Sequence, residues 1–151
     1  MRADPSDFVA RERMDPGFAI QRRVAWIDVD RSGRVHFADY VRYAEETEYA
    51  YLRSRGIPVI QSEPRGILGF PRVSATVELV RPLRVDELVE VAIASLAHDG
   101  KQLEYSFQFR VAGEPSANVC FRVACCRFPG RGDPYAILLP DEFLTRIFDG
   151  G

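Results

Sequence analysis

The sequence predicts an α+β domain in which one long central helix is wrapped by a curved antiparallel β-sheet of five or six strands. Three observations predict it. A helical pattern begins at Phe37, with apolar residues recurring at three and four positions through Tyr40, Val41, Ala44, Thr47, Ala50 and Tyr51. One strand-like run precedes that helix and four follow it, joined by links short enough to make neighbours antiparallel. A lone helix with an apolar stripe also needs a sheet with one apolar face to cover it.

The elements follow in order. Residues 1–16 read as a poorly ordered arm, broken by Asp4-Pro5 and Asp15-Pro16, and residues 17–151 as a single domain. From Phe18 to Ile27 the apolar residues alternate as in a strand. A polar loop leads into the helix. Asp39 sits in its first turn and Arg53 and Arg55 in its last, as the helix dipole favours. Gly56 stops it as a C′ residue, and Pro58 lies just beyond. Residues 56–66 read as a loop.

Four strands follow, at about Leu68–Val80, Leu88–Ala97, Gln102–Val111 and Ala117–Phe128. His98-Asp99-Gly100 is a hairpin turn between the second and third. The third alternates most cleanly, with Leu103, Tyr105, Phe107, Phe109 and Val111 on one face. Residues 129–139 are loop, and Asp141–Phe148 a short closing helix capped by Asp141.

At 151 residues the chain is long enough for an ordinary core without staples. Its net charge of −2 argues against a broad nucleic-acid footprint. No apolar run is long enough to span a bilayer. The first residues are charged and lack the apolar core of a signal peptide, so a cytoplasmic location is expected. Cys120, Cys125 and Cys126 have no zinc spacing and are expected to be reduced core residues.

Chemistry concentrates in the stretch from Trp26 to Arg55. Its loop carries two carboxylates, Asp28 and Asp30, with Ser32 and Gly33 to turn the chain, and His36 and Phe37 before the helix. A carboxylate close to a helix start lies beside unpaired backbone N–H donors. Asp28 reads as a loop-ordering residue. His36 could contact a substrate, orient Asp30 or simply be a satisfied histidine. Glu45 and Glu46, two turns into the helix, are reserve candidates on what reads as a solvated face.

The stretch DVDRSGRVHFADYVRYAEE at 28–46 resembles the signature of the 4-hydroxybenzoyl-CoA thioesterase family, whose members have the hotdog fold. The resemblance is dense over residues 22–57 and topological to about residue 140. It implies a hydrolase of acyl-CoA or acyl-carrier-protein thioesters, with Asp30 as nucleophile or general base. It further implies that the backbone N–H of Phe37 polarises the carbonyl, that His36 belongs to the site, and that Val35, Asp39 and Tyr40 line the substrate. Asp39 stands where that family commonly has Asn, and Ser32 and Arg34 where its turn is apolar. No cofactor is implied, coenzyme A being part of the substrate, and no metal. The resemblance implies a homo-oligomer, a dimer or a tetramer. Arg72, Arg81, Arg84, Arg127 and Arg131 are candidates for the coenzyme A phosphates, and the sequence does not choose among them. A non-hydrolytic acyl-thioester binding protein and a dehydratase using His36 are the alternatives.

Overall fold

The computed structural model describes residues 7–149, so the first six residues of the expected arm lie outside the described residues. Within that arm Glu12–Met14 forms a strand, β1, which pairs with the far end of β6. Strand β2 (Phe18–Arg23) lies end to end with it along the same edge of β6. The helix α1 spans Asp39–Ser54. After it come β3 (Gln61–Glu63), β4 (Gly66–Gly69), β5 (Arg72–Leu79), β6 (Leu88–His98), β7 (Gln102–Val111), β8 (Glu114–Ala124), β9 (Cys126–Phe128), β10 (Tyr135–Ala136) and α2 (Asp141–Leu144).

The main sheet is antiparallel, in the order β1–β6–β7–β8–β5, with β2 also on β6. The expected alternation holds in its centre. Val89, Val91 and Ile93 of β6, Leu103, Tyr105, Phe107 and Phe109 of β7, and Ala117, Val119, Phe121 and Val123 of β8 are all buried. Register shifts between Ile93 and Ser95 and between Phe109 and Arg110 are irregularities of the kind that bends a sheet. Against that face α1 buries Tyr40, Tyr43, Ala44, Thr47, Glu48, Tyr51 and Leu52. The Tyr40 and Phe109 rings meet at 5.7 Å across the two layers.

Helix α1 stops as its sequence predicts. Gly56 takes φ +73°, its N–H donates to Arg53 O at 3.0 Å, and the Ile57 N–H donates to Leu52 O at 2.9 Å. That is a Schellman closure with the apolar pair Leu52 and Ile57 buried beneath it.

Several expectations need correction. The first strand ends at Arg23 rather than Ile27, because Trp26–Asp28 tightens into one 3₁₀ turn. The strand run from Leu68 breaks at Pro71, which has no N–H for a ladder, leaving β4 and β5 on different sheets. The run to Phe128 divides in the same way into β8 and β9, and β9 joins β10, β4 and β3 in a small second sheet. The four strands are also not a simple meander, since β5 sits beyond β8 at the far edge. The link 80–87 instead crosses the end of the sheet, where the Val80 and Arg81 N–H groups both donate to Ser116 O at 2.9 Å. At the C-terminus α2 is a single turn that follows Pro140, without a side-chain cap from Asp141, and continues as a π-type turn over Thr145–Asp149.

Candidate active site

The candidate loop is closed at its neck and held open at its tip. Val29 and Val35 form an antiparallel bridge. Beyond it the Asp30 N–H donates to Arg34 O at 2.9 Å and the Gly33 N–H returns to Asp30 O at 3.0 Å. Gly33 sits at φ +77°, where a side chain would be strained. One oxygen of Asp30, Oδ1, accepts the Ser32 N–H at 2.8 Å, the Ser32 hydroxyl at 2.5 Å and the Arg34 N–H at 3.4 Å. Among the described residues Oδ2 accepts none. The Ser32 hydroxyl foremost, then the Ser32 N–H, hold the Asp30 carboxyl below its ordinary range, and the nearby His36 adds to the effect. Asp30 is exposed, so this carboxylate is ionised, anchored by one oxygen and open at the other.

Asp28 is the opposite case. Its side chain is 4% exposed. Tyr43 donates its hydroxyl to Oδ2 at 2.6 Å, Arg22 donates to the same oxygen at 3.0 Å, and Arg42 closes on Oδ1. Burial alone would raise the Asp28 carboxyl. The hydrogen bonds of Tyr43 and Arg22, with the charges of Arg42 and Arg22, outweigh it and hold the group below its ordinary value. Glu46 binds both arginines, at 2.6 and 3.1 Å, and Asp39 binds Arg42 at 3.2 Å. Asp28 therefore orders the loop through ion pairs to β2 and α1 rather than through a local turn.

The remaining predicted site residues divide. His36 and Phe37 are exposed at the helix entrance, and the His36 N–H donates to Asp28 O at 3.1 Å. Among the described residues the Phe37 N–H has no hydrogen-bond acceptor, as expected for a donor ahead of the first helical turn. The helix proper begins at Asp39, two residues later than its apolar pattern suggests. Tyr40 is wholly buried, with its hydroxyl accepting the Leu83 N–H at 2.8 Å, and Val35 is buried on the same link through Leu83 O at 2.9 Å. In this chain both side chains belong to the core beneath the loop.

Sequence reasoning missed Arg22, Arg42 and Tyr43. The local signal was the i,i+3 and i,i+4 spacing of Arg42 from Asp39 and Glu46, which does not point to Asp28 or to Arg22. Their meeting depends on β2 lying beside α1, where the Arg22 guanidinium stacks 3.9 Å from the Tyr43 ring centre. Farther along α1, Glu45 and Glu48 both bind Arg72 of β5, at 2.7 and 2.9 Å. Burial raises the Glu48 carboxyl to about 7 against the pull of Arg72. Among the described residues no group of three or more His, Cys, Asp or Glu side chains is placed to hold a metal ion. Nor is any helix long and apolar enough to cross a membrane.

No family model matches the chain. A protein of Aquifex aeolicus described as a "Putative esterase" is 36% identical over 74 residues, which cover 49% of this chain and 57% of that protein. The chain thus spans little more than half the length of that relative. Among solved structures, a hypothetical protein from Aquifex aeolicus superposes with a TM-score of 0.75 at 26% identity, covering 86% of this chain and 98% of that one. A 1,4-dihydroxy-2-naphthoyl-CoA thioesterase from Synechocystis superposes with a TM-score of 0.74 at 20% identity, covering 88% and 96%. The chain has the hotdog fold. In that hotdog frame, α1 is the central helix, β1, β2 and β5–β8 are the sheet around it, and the Asp30 loop is the last segment before the helix begins.

Proposed function

We propose that this hotdog protein is a thioester hydrolase acting on an acyl-CoA, with Asp30 as its catalytic carboxylate. The observation that carries the reading is the asymmetry of Asp30, whose Oδ1 is fixed by Ser32 and the Arg34 backbone N–H while Oδ2 accepts no hydrogen bond among the described residues. A carboxylate held this way can attack the thioester carbonyl or take a proton from water without first rearranging. The Phe37 N–H, without an acceptor among the described residues and at the positive end of α1, is the donor for the oxyanion that forms. His36 is exposed at the helix entrance, between the Asp30 turn and Phe37. The thioesterase among the superposed structures supports the same reaction class.

The same reading expects a homo-oligomer. The outer edge strand β5 and the link after it leave Val73 42%, Leu79 41% and Val80 58% exposed. An unpaired edge bearing apolar side chains invites a second copy.

Free-thiol release from a panel of acyl-CoAs tests the proposal, with wild type beside Asp30→Asn and Asp30→Ala. Turnover on at least one thioester that falls more than a hundredfold in both variants supports it. Hydrolysis unchanged by either substitution removes Asp30 from the chemistry. Tight binding of a thioester without thiol release indicates a binding protein, and an enoyl product without free thiol indicates a dehydratase.

A further inference from the structure

Of the five arginines that the sequence offered for phosphate binding, three are already engaged. Arg72 binds Glu45 and Glu48, Arg81 binds Glu87 at 2.7 Å, and Arg127 binds Glu63 at 2.6 Å. Arg84 makes no ion pair among the described residues, and it lies directly opposite Arg34, which makes none either. The two belong to a short antiparallel ribbon in which the Val35 N–H donates to Leu83 O and the Val85 N–H to Gly33 O, both at 2.9 Å. Those bonds flank the pair, which makes it a non-hydrogen-bonded position, where side chains stand closest. Like charges directly opposite each other on a ribbon are unfavourable unless something answers them.

The surroundings stiffen this arrangement without neutralising it. Tyr40 fixes Leu83 from the helix, and Glu87 accepts the Arg84 backbone N–H at 2.7 Å while its other oxygen serves Arg81. The ribbon also carries the Asp30 turn, since Arg34 O accepts the Asp30 N–H. Both side chains are exposed, and Arg31 at the tip of the turn adds a third exposed cation without an ion pair among the described residues.

We infer that Arg34 and Arg84 form a clamp for a phosphate of coenzyme A, beside the candidate catalytic turn. Two guanidinium forks on one rigid ribbon match the oxygens of a phosphate or diphosphate better than a single flexible cation could. A bound phosphate also answers the mutual repulsion of the pair. The inference rests on the acyl-CoA reading, but its direct test does not need turnover.

The test uses the whole protein and titrates 3′,5′-ADP, the phosphate-bearing end of coenzyme A, by calorimetry. Wild type is expected to bind it with an affinity that falls as salt rises, and Arg34→Gln/Arg84→Gln to bind it at least tenfold more weakly with a melting temperature no lower than wild type. In parallel, kcat and KM are measured for one acyl group carried on coenzyme A and on pantetheine. For this arm Arg84→Gln, which does not touch the Asp30 turn, is expected to raise KM several-fold on the coenzyme A ester, leave kcat alone, and change nothing on the pantetheine ester. No ADP binding by wild type, or equal binding by the double variant, overturns the clamp even if the protein hydrolyses thioesters. An equal loss on both esters also overturns it, because the arginines then serve the acyl group or the loop. ADP binding that the double variant loses, with no turnover on any ester, keeps the clamp and sinks the hydrolase.

Discussion

The Tyr43 hydroxyl donates to the Asp28 carboxylate at 2.6 Å, tying the loop before α1 to the second turn of the helix that follows. Asp28 lies between β2 and α1, with Arg22 reaching it from one and Arg42 from the other. Asp30, two residues on, is exposed in the same loop.

Removing that anchor is expected to cost stability before it costs chemistry. Asp28→Asn keeps the shape and deletes the charge that Arg22 and Arg42 share. Glu46 still serves both arginines, so the loss is expected at about 1–3 kcal/mol rather than the larger cost of a stranded buried ion. Tyr43→Phe removes one hydrogen bond and costs about 1 kcal/mol. Because folding lowers the Asp28 pKa, its contribution is present above the ordinary carboxylate value and is lost as pH falls through the folded one. Urea midpoints measured down an acid series check this. A wild type and an Asp28→Asn variant that lose stability in parallel would show that Asp28 is not the group responsible.

The acid limb of the rate profile reports on Asp30. Ser32 is the first cause of its lowered pKa, through both its hydroxyl and its N–H. The carboxylate is the active form under the proposed chemistry, so turnover falls as pH drops through that lowered value. Ser32→Ala deletes the hydroxyl donor and lets the carboxyl rise toward its ordinary value. The acid limb of kcat/KM is expected to move to higher pH while the plateau changes little. A limb that stays where it was, with Asp30 still essential, would assign the limb to another group.

How much of this was legible depends on which force fixes each part. The alternation of Leu103, Tyr105, Phe107 and Phe109 and the stop at Gly56 are local signals, and each holds in the structure. The strands of the second sheet run two to four residues, too short for a period to show against their prolines and glycines. Asp28 and Glu48 escaped for a different reason. A hydropathy pattern assigns carboxylates to the surface, yet both are buried, because arginines from other elements meet them once the chain has folded. Phe37 shows the reverse error. It opens the apolar stripe in the sequence, but it precedes the first helical turn and is 59% exposed.

Glu48 gives that buried charge a measurable sign. Its carboxyl rises from an ordinary 4.5 to about 7 on folding, burial outweighing Arg72. Between those values the folded chain holds a proton that the unfolded chain has released, so stability falls as pH rises across the window. Glu48→Gln removes the titration, while Arg72 keeps Glu45 as a partner at 2.7 Å. The variant is expected to gain on wild type between pH 4.5 and 7, by a total on the order of 3 kcal/mol. Unfolding free energies at the two ends of the range decide it, and a difference that does not change with pH counts against the assignment.

The second sheet depends on one glycine in a way that a second glycine can calibrate. Gly66 takes φ +128°, and a Cβ there would overlap the carbonyl oxygen of Phe128 and lie 2.9 Å from the Cα of Pro129. Both obstacles are backbone, the last residue of β9 and the proline that follows it, so they cannot swing aside as a side chain would. Gly113, in the turn between β7 and β8, also has a positive φ of +81°, but a Cβ there meets nothing within 4 Å. Gly113→Ala therefore measures backbone strain alone, about 1–2 kcal/mol. Gly66→Ala adds the collision and is expected to cost more than Gly113→Ala, with the excess falling on the pairing of β4 with β9. Hydrogen exchange should show it as faster exchange at β4 and β9 while the centre of β7 stays protected. Equal losses for the two variants would mean that β9 yields, and that the small sheet is softer than its ladder suggests.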